Sequence, residues 1–161
     1  TIQVNYAPGS TIDVGGTRYE LIQFHFHKPS EEKVDGKAHA MVAHLVHKGG
    51  DGALAVVAVL LDKGHDNPTL RAIWSHLPKH KEKEVAVPTT IDAAALLPAD
   101  KGYYTFDGSL TTPPCSEGVR WFVLKTPMTV AASELTAFAR LYPMNARPTQ
   151  PLNGRTVEAT R

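Results

Sequence analysis

Cysteine is nearly absent: Cys115 is the one thiol in 161 residues, so the chain has no internal disulfide and no cluster of thiolates to build a closed structural metal site. Alone, it is either a buried or incidental thiol or half of a disulfide whose partner lies elsewhere. Charge of either sign is also not in excess. Seventeen Lys and Arg against sixteen Asp and Glu leave a net charge of +1, which argues against nucleic acid or a membrane surface as a partner, since both select for a basic surplus. No apolar run approaches the ~20 residues that span a bilayer. Repeats, low-complexity tracts and interdomain linkers are missing, and the length suits one core, so residues 1–161 are expected to form a single domain. An initiator Met and a signal-peptide pattern are missing too. The opening Ile2-Gln3-Val4-Asn5-Tyr6 reads like the middle of a strand, which predicts a processed chain or part of a longer one.

What is present is a succession of short β-branched and alternating runs punctuated by turn residues. Strands are expected at Ile2–Tyr6, Thr17–His27, His39–His47, Ala53–Leu61, Tyr103–Phe106, Val119–Leu124 and around Thr156–Ala159. Pro8-Gly9-Ser10, Val14-Gly15-Gly16, Lys48-Gly49-Gly50-Asp51-Gly52 and Lys63-Gly64 supply turns. Two helices are expected. Thr69–His76 carries Leu70, Ile73, Trp74 and Leu77 at one-face spacing, and Glu134–Leu141 has Ser133 as its cap and buries Leu135, Phe138 and Leu141. The fold class is therefore mainly β with short peripheral helices.

Eight histidines are many for this length. In Phe24-His25-Phe26-His27, strand periodicity sends both imidazoles to one face and both phenyl rings to the other. In Ala43-His44-Leu45-Val46-His47, His44 and Val46 share a face, and His47 points away as a structural residue. Residues 28–38 can fold back and make the two strands antiparallel neighbours, bringing His44 across from His25 and His27. Three neutral imidazoles suit Zn2+ and leave a fourth position for solvent, as in a catalytic site. A His-x-His pair by itself is more often two polar residues on a solvated face; His39, His65, His76 and His80 read as surface residues.

Five separated motifs, in order along nearly the whole chain, strongly resemble the alpha-class carbonic anhydrases: Leu21-Ile22-Gln23-Phe24-His25-Phe26-His27, Pro29-Ser30-Glu31, His44-Leu45-Val46-His47, Gly108-Ser109-Leu110-Thr111-Thr112-Pro113-Pro114, and Asn145-Ala146-Arg147-Pro148-Thr149-Gln150-Pro151-Leu152. Pro113-Pro114-Cys115-Ser116-Glu117-Gly118 is most similar to the bacterial branch. The resemblance implies a large, mostly antiparallel twisted sheet lacking the family's amino-terminal segment. It implies reversible hydration of carbon dioxide to bicarbonate by zinc-bound hydroxide. His25, His27 and His44 would be the zinc ligands, and Gln23 and the backbone of Asn145 would support two of them. Thr111 would donate a hydrogen bond to Glu31 and orient the hydroxide. Thr112 would lie beside the substrate, with Val46, Val56, Leu110 and Trp121 as the apolar wall that receives carbon dioxide. The partner is a small molecule, with neither nucleic acid nor membrane involved, and a homodimer is allowed. A catalytically impaired zinc-binding module of the same fold is the alternative. Plain metal storage would need neither the Thr111–Glu31 pair nor the wall.

The chain departs from the family pattern in three places. Position 42, two residues before the third ligand, usually holds a Glu that accepts a hydrogen bond from that ligand. Val42 cannot accept one, so weaker zinc retention is expected, corrected by Val42→Glu. The segment carrying the family's proton-shuttle histidine would lie immediately upstream of Thr1. The same missing segment would carry the disulfide partner of Cys115, pointing to a periplasmic or secreted location, and its loss would expose core and strand edges. Without the shuttle, carbon dioxide hydration by this chain is expected to rise strongly with added imidazole. A rate independent of buffer would contradict that expectation.

Overall fold

The computed structural model describes residues 1–161. Eleven strands, two α-helices and one 3-10 turn follow the order β1 (Gln3–Asn5), β2 (Thr11–Val14), β3 (Thr17–His27), β4 (Lys33–Val34), β5 (Lys37–Ala38), β6 (Met41–Gly49), β7 (Leu54–Lys63), α1 (Pro68–Trp74), the 3-10 turn (Ala93–Leu96), β8 (Tyr103–Ser109), β9 (Glu117–Leu124), β10 (Met128–Val130), α2 (Ala132–Leu141) and β11 (Glu158–Ala159). Nine strands form one sheet with the spatial order β1-β3-β6-β7-β9-β8-β11; β2 joins β3, β10 joins β7, and β4 with β5 makes a separate hairpin. Pairing is antiparallel except where β7 meets β9 and β10. The expected mainly β class with a mostly antiparallel sheet and peripheral helices therefore holds.

Alternation along β3 and β6 divides the molecule into two cores. On one face Leu21, Phe24, Phe26, Ala43 and Leu45 join a twenty-residue cluster with Leu70 and Ile73 of α1 and Phe138 of α2. Phe26 stacks edge-on against Trp74 at 5.0 Å, and Trp74 Nε1 donates to the Glu134 carbonyl, tying the helices together beneath the sheet. On the other face a smaller cluster holds Val42, Val46, Val56, Ala58, Leu60, Val119, Trp121 and Val123. The histidines project on this second face.

A bulge in β3 makes that division possible. Leu21 pairs with His47 and Gln23 with Val46, so Ile22 is an extra residue on the β3 side. Without it, strict alternation would place Leu21 on the same face as Gln23, His25 and His27. With it, Leu21 enters the larger core while Ile22 is left 40% exposed; bulges re-aim side chains in this way.

Several local expectations are corrected. β2 and β10, each too short to show a period, were not expected. The third expected strand begins at Met41 rather than His39, because residues 33–38 form the β4–β5 hairpin. Asn67 caps α1, its side chain accepting from Thr69 and Leu70 N–H. Ser133 is not the cap of α2: the helix starts at Ala132, two residues before the expected Glu134, and Glu134 Oε2 accepts from the Ala131 N–H at 2.8 Å. Leu141 is 47% exposed and Leu135 half-buried, so of the three residues expected on the inner side of α2 only Phe138 is fully buried. Phe26 is fully buried between sheet and helices, so Phe26→Ala is expected to cost about 3–5 kcal/mol in urea unfolding. A loss below about 1 kcal/mol would mean this core collapses without penalty.

Candidate metal centre

β3 and β6 place the three histidines by register. His25 is directly opposite His44, His27 is opposite Val42, and Gln23 is opposite Val46. The first of these rows continues through Ala58 of β7 and Val123 of β9, and a small alanine beside His44 leaves space for the ring. The ring centroids of the three histidines lie 4.8–5.5 Å apart.

Each ring has one nitrogen occupied from outside. His25 Nδ1 is 2.8 Å from Gln23 Oε1, His27 Nδ1 is 2.9 Å from the Asn145 carbonyl, and His44 Nε2 is 2.5 Å from Glu32 Oε1. Since a carbonyl or carboxylate oxygen only accepts, each of these nitrogens carries the proton. The remaining three, His25 Nε2, His27 Nε2 and His44 Nδ1, are left for an ion, as lone-pair acceptors wherever the ring is neutral. One ligand nitrogen from each ring falls within 4.8 Å of the other two. His27 Nε2 is buried without a hydrogen-bond partner, a costly state for a polar atom that a cation would relieve. An ion bonded at about 2.0–2.1 Å in tetrahedral geometry holds its nitrogens ~3.3–3.4 Å apart, so rings at the outer limit of that 4.8 Å spacing would close by about 1.4 Å on binding. Burial, then the neighbouring imidazoles of His44 and His27, pushes His25 down to about 3, and burial followed by His44 lowers His27. Both are neutral at pH 7, the form that binds a metal.

Asn145 is a clamp as well as an acceptor. Its side chain accepts from Lys28 N–H at 2.8 Å and donates to the Phe26 carbonyl, while its own N–H reaches the Lys28 carbonyl. A segment 117 residues downstream thereby fixes the end of β3.

Two consecutive carboxylates close the site. Glu31 Oε2 accepts from the Arg147 N–H at 2.5 Å, and Oε1 stands 3.2 Å from His27 Nε2 and 3.8 Å from His44 Nδ1 without a hydrogen-bond partner. Burial would raise the Glu32 carboxyl, but the adjacent His44 outweighs it and holds the group below its ordinary range. Beyond them opens a cavity of about 830 Å³, lined among others by Glu31, Glu32, Thr111, Phe106, Trp121 and Arg147. Glu31 and Glu32 thus touch the imidazoles on one side and the cavity on the other.

The chain matches the family model for eukaryotic-type carbonic anhydrases over residues 1–161. It belongs to the carbonic anhydrase family. A carbonic anhydrase of Nostoc sp. is 46% identical over 158 residues, covering 98% of this chain and 60% of that protein. The sulfanilamide complex of the alpha-carbonic anhydrase of Thermovibrio ammonificans superposes with a TM-score of 0.93 at 41% identity, covering 96% of this chain and 69% of that one. A hyperthermostable carbonic anhydrase from a hydrothermal vent chimney gives 0.95 at 45%, covering 99% and 72%. The chain spans 60% of the length of the Nostoc relative and 65% of that of a carbonic anhydrase of Pectobacterium carotovorum.

Measured against the family-based expectations, the geometry brings some residues together and separates others. It brings His25, His27, His44, Gln23 and Asn145 together. Val46, Val56 and Trp121 form a cross-strand row beside the histidine row, and Leu110 packs on it. Of these four only Trp121 lines the cavity; its ring meets His44 edge-on at 4.9 Å. Thr112 is exposed and does not line the cavity. The expected Thr111–Glu31 hydrogen bond is not formed, because Glu31 spends one oxygen on Arg147 and turns the other to the imidazoles. Nor does Val42 leave His44 without an acceptor, since Glu32, for which no role was expected, fills that one. Of the four histidines read as surface residues, His65 and His80 are exposed; His39 and His76 are half-buried, His39 pairing with Asp62 at 2.8 Å and His76 Nδ1 lying 2.8 Å from the Ala72 carbonyl. His47 is buried with Nδ1 bonded to the Leu45 carbonyl, as a structural residue would be.

The depressed His25 makes a pH prediction. Unfolded, its imidazole titrates near 6.5; folded, near 3. The unfolded state therefore binds more protons between these values, and stability present above pH 6.5 is lost as pH falls towards 3. In metal-free protein, the stability of the wild type relative to His25→Gln should decline below pH 6.5, read from denaturant midpoints. A constant difference from pH 7 to 4 would contradict the burial of a neutral ring.

Proposed function

We propose that this chain is the metal-binding and catalytic portion of a zinc-dependent carbonic anhydrase, reversibly hydrating carbon dioxide to bicarbonate and a proton. One observation carries the reading: three imidazoles, each with its outer nitrogen already bonded, turn their remaining nitrogens toward one another beside an apolar row. His25, His27 and His44 would hold the ion. Zinc there supplies a Lewis acid that makes water nucleophilic at neutral pH, the chemistry characteristic of carbonic anhydrases.

The chain's own residues do the rest. Glu31 Oε1 faces the nitrogen cluster while Arg147 N–H fixes its other oxygen, so it can hold a hydroxyl proton at a set position. Thr111 lines the same cavity and orients the nucleophile once its hydroxyl reaches Glu31. Carbon dioxide has no charge to grip, and Trp121, the cavity-lining end of the row Val46, Val56 and Trp121, would offer it an apolar surface. Bicarbonate, an anion, meets that surface and two carboxylates, which favours release. Thr112 would contact substrate only after a shift of its turn. Residues 1–161 would form one domain of the enzyme, in the periplasm or outside the cell, with a homodimer open to sizing in solution. No helix is long and apolar enough to cross a membrane.

The missing Thr111–Glu31 bond favours one second reading, a zinc-binding module with impaired turnover. A single experiment separates them: zinc content, carbon dioxide hydration and inhibition by sulfanilamide measured on one preparation. The enzymatic reading expects one zinc per chain, sulfonamide-sensitive hydration, and about a 100-fold loss in Thr111→Val at unchanged zinc content. Stoichiometric zinc without hydration selects the impaired module, and absence of zinc rejects both.

A further inference from the structure

We infer that Glu32 is the positioning residue for His44, taking over from the β3–β4 connection the task that the family ordinarily gives to an acid at position 42. The inference rests on the zinc reading above and adds a residue to it. Glu32 Oε1 lies 2.5 Å from His44 Nε2, with the Glu32 side chain 11% and the His44 side chain 1% exposed. That nitrogen has no other hydrogen-bond partner.

The carboxylate is delivered by a pinned backbone. Ser30 Oγ donates to the Glu32 carbonyl at 2.7 Å and accepts from the His39 N–H at 2.8 Å, while Ser30 N–H donates to the His39 carbonyl. Glu32 thus reaches His44 without the loop having to order itself at each binding event. The acceptor fixes the tautomer that leaves Nδ1 free, and an imidazole donating to a carboxylate is a stronger metal ligand.

Val42 completes the exchange. It is fully buried, opposite His27 on β3 and Leu60 on β7, within the apolar cluster of the site face. A carboxylate added there would compete with Glu32 for one N–H in a dry environment. Val42→Glu alone therefore does not strengthen metal binding, the reverse of what position 42 suggests in isolation.

The test is zinc transfer from the loaded 161-residue chain to a chromogenic chelator, with circular dichroism as a check on the fold. Glu32→Ala should release zinc about 10–100-fold faster, and Glu32→Gln, which keeps an acceptor oxygen, should fall between it and wild type. Adding Val42→Glu to Glu32→Ala should slow release again, whereas Val42→Glu alone should not slow it. In proton NMR of the zinc-loaded protein, the downfield His44 Nε2–H resonance should be lost in Glu32→Ala. Release rates in both Glu32 variants equal to wild type, or an unmoved resonance, would overturn the assignment; if Glu32→Ala does not fold, the near-isosteric Glu32→Gln decides. Failure of the relocated carboxylate to slow release would count against the exchange with position 42. Wild-type protein that retains no zinc would overturn the metal reading along with this one, while stable zinc that is indifferent to Glu32 would overturn this one alone.

Discussion

Three imidazoles can share one ion only if their other nitrogens are spoken for, and that condition organises this molecule. Gln23 Oε1, the Asn145 carbonyl and Glu32 Oε1 each take the proton-bearing nitrogen of one ring. Each bond sets a tautomer, a ring orientation and the basicity of the opposite nitrogen at once. Remove these acceptors and the rings could flip, protonate or pair among themselves. The acceptors come from three places: a neighbour two residues back on the same strand, a backbone carbonyl far downstream, and the loop that follows the strand. The site therefore draws on the whole chain and is not a local motif.

The sheet supplies the frame. Adjacent cross-strand rows put metal chemistry and apolar surface side by side: His25, His44, Ala58 and Val123 in one, Gln23, Val46, Val56 and Trp121 in the next. The Ile22 bulge keeps Leu21 in the opposite core while Gln23 stays on the histidine face. The phenyl rings of Phe24 and Phe26 anchor β3 from below, so the imidazoles stand on a stiff strand. Precision at the site is thus bought with burial on the far side.

Much of this was legible in the sequence because it is periodic or local. Two-residue alternation is enough to send His25 and His27 to one face and to bring His44 opposite. The resemblance in ordered motifs adds Gln23, Asn145, Thr111 and Glu31. Glu32 was missed because its contact depends on how an eleven-residue loop folds back, and no period reports that. A signal existed nonetheless: an acid missing at position 42 together with a second acid beside Glu31 on the returning loop. The Thr111–Glu31 bond failed as an expectation for a related reason, since the orientation of a carboxylate depends on competitors such as the Arg147 N–H. β2, β10 and the Glu134 bond to Ala131 were invisible because three- or four-residue strands and a side chain reaching back to its own helix start leave no pattern.

Whether one ion is held by three imidazoles from two adjoining strands, with a vacant position for solvent, can be read from X-ray absorption at the zinc edge of the loaded chain. A four-coordinate ion is expected, its ligands nitrogen or oxygen at about 2.0–2.1 Å, with the multiple scattering of three imidazoles and no sulfur. A sulfur shell, a six-oxygen shell or the scattering of a single imidazole would contradict it.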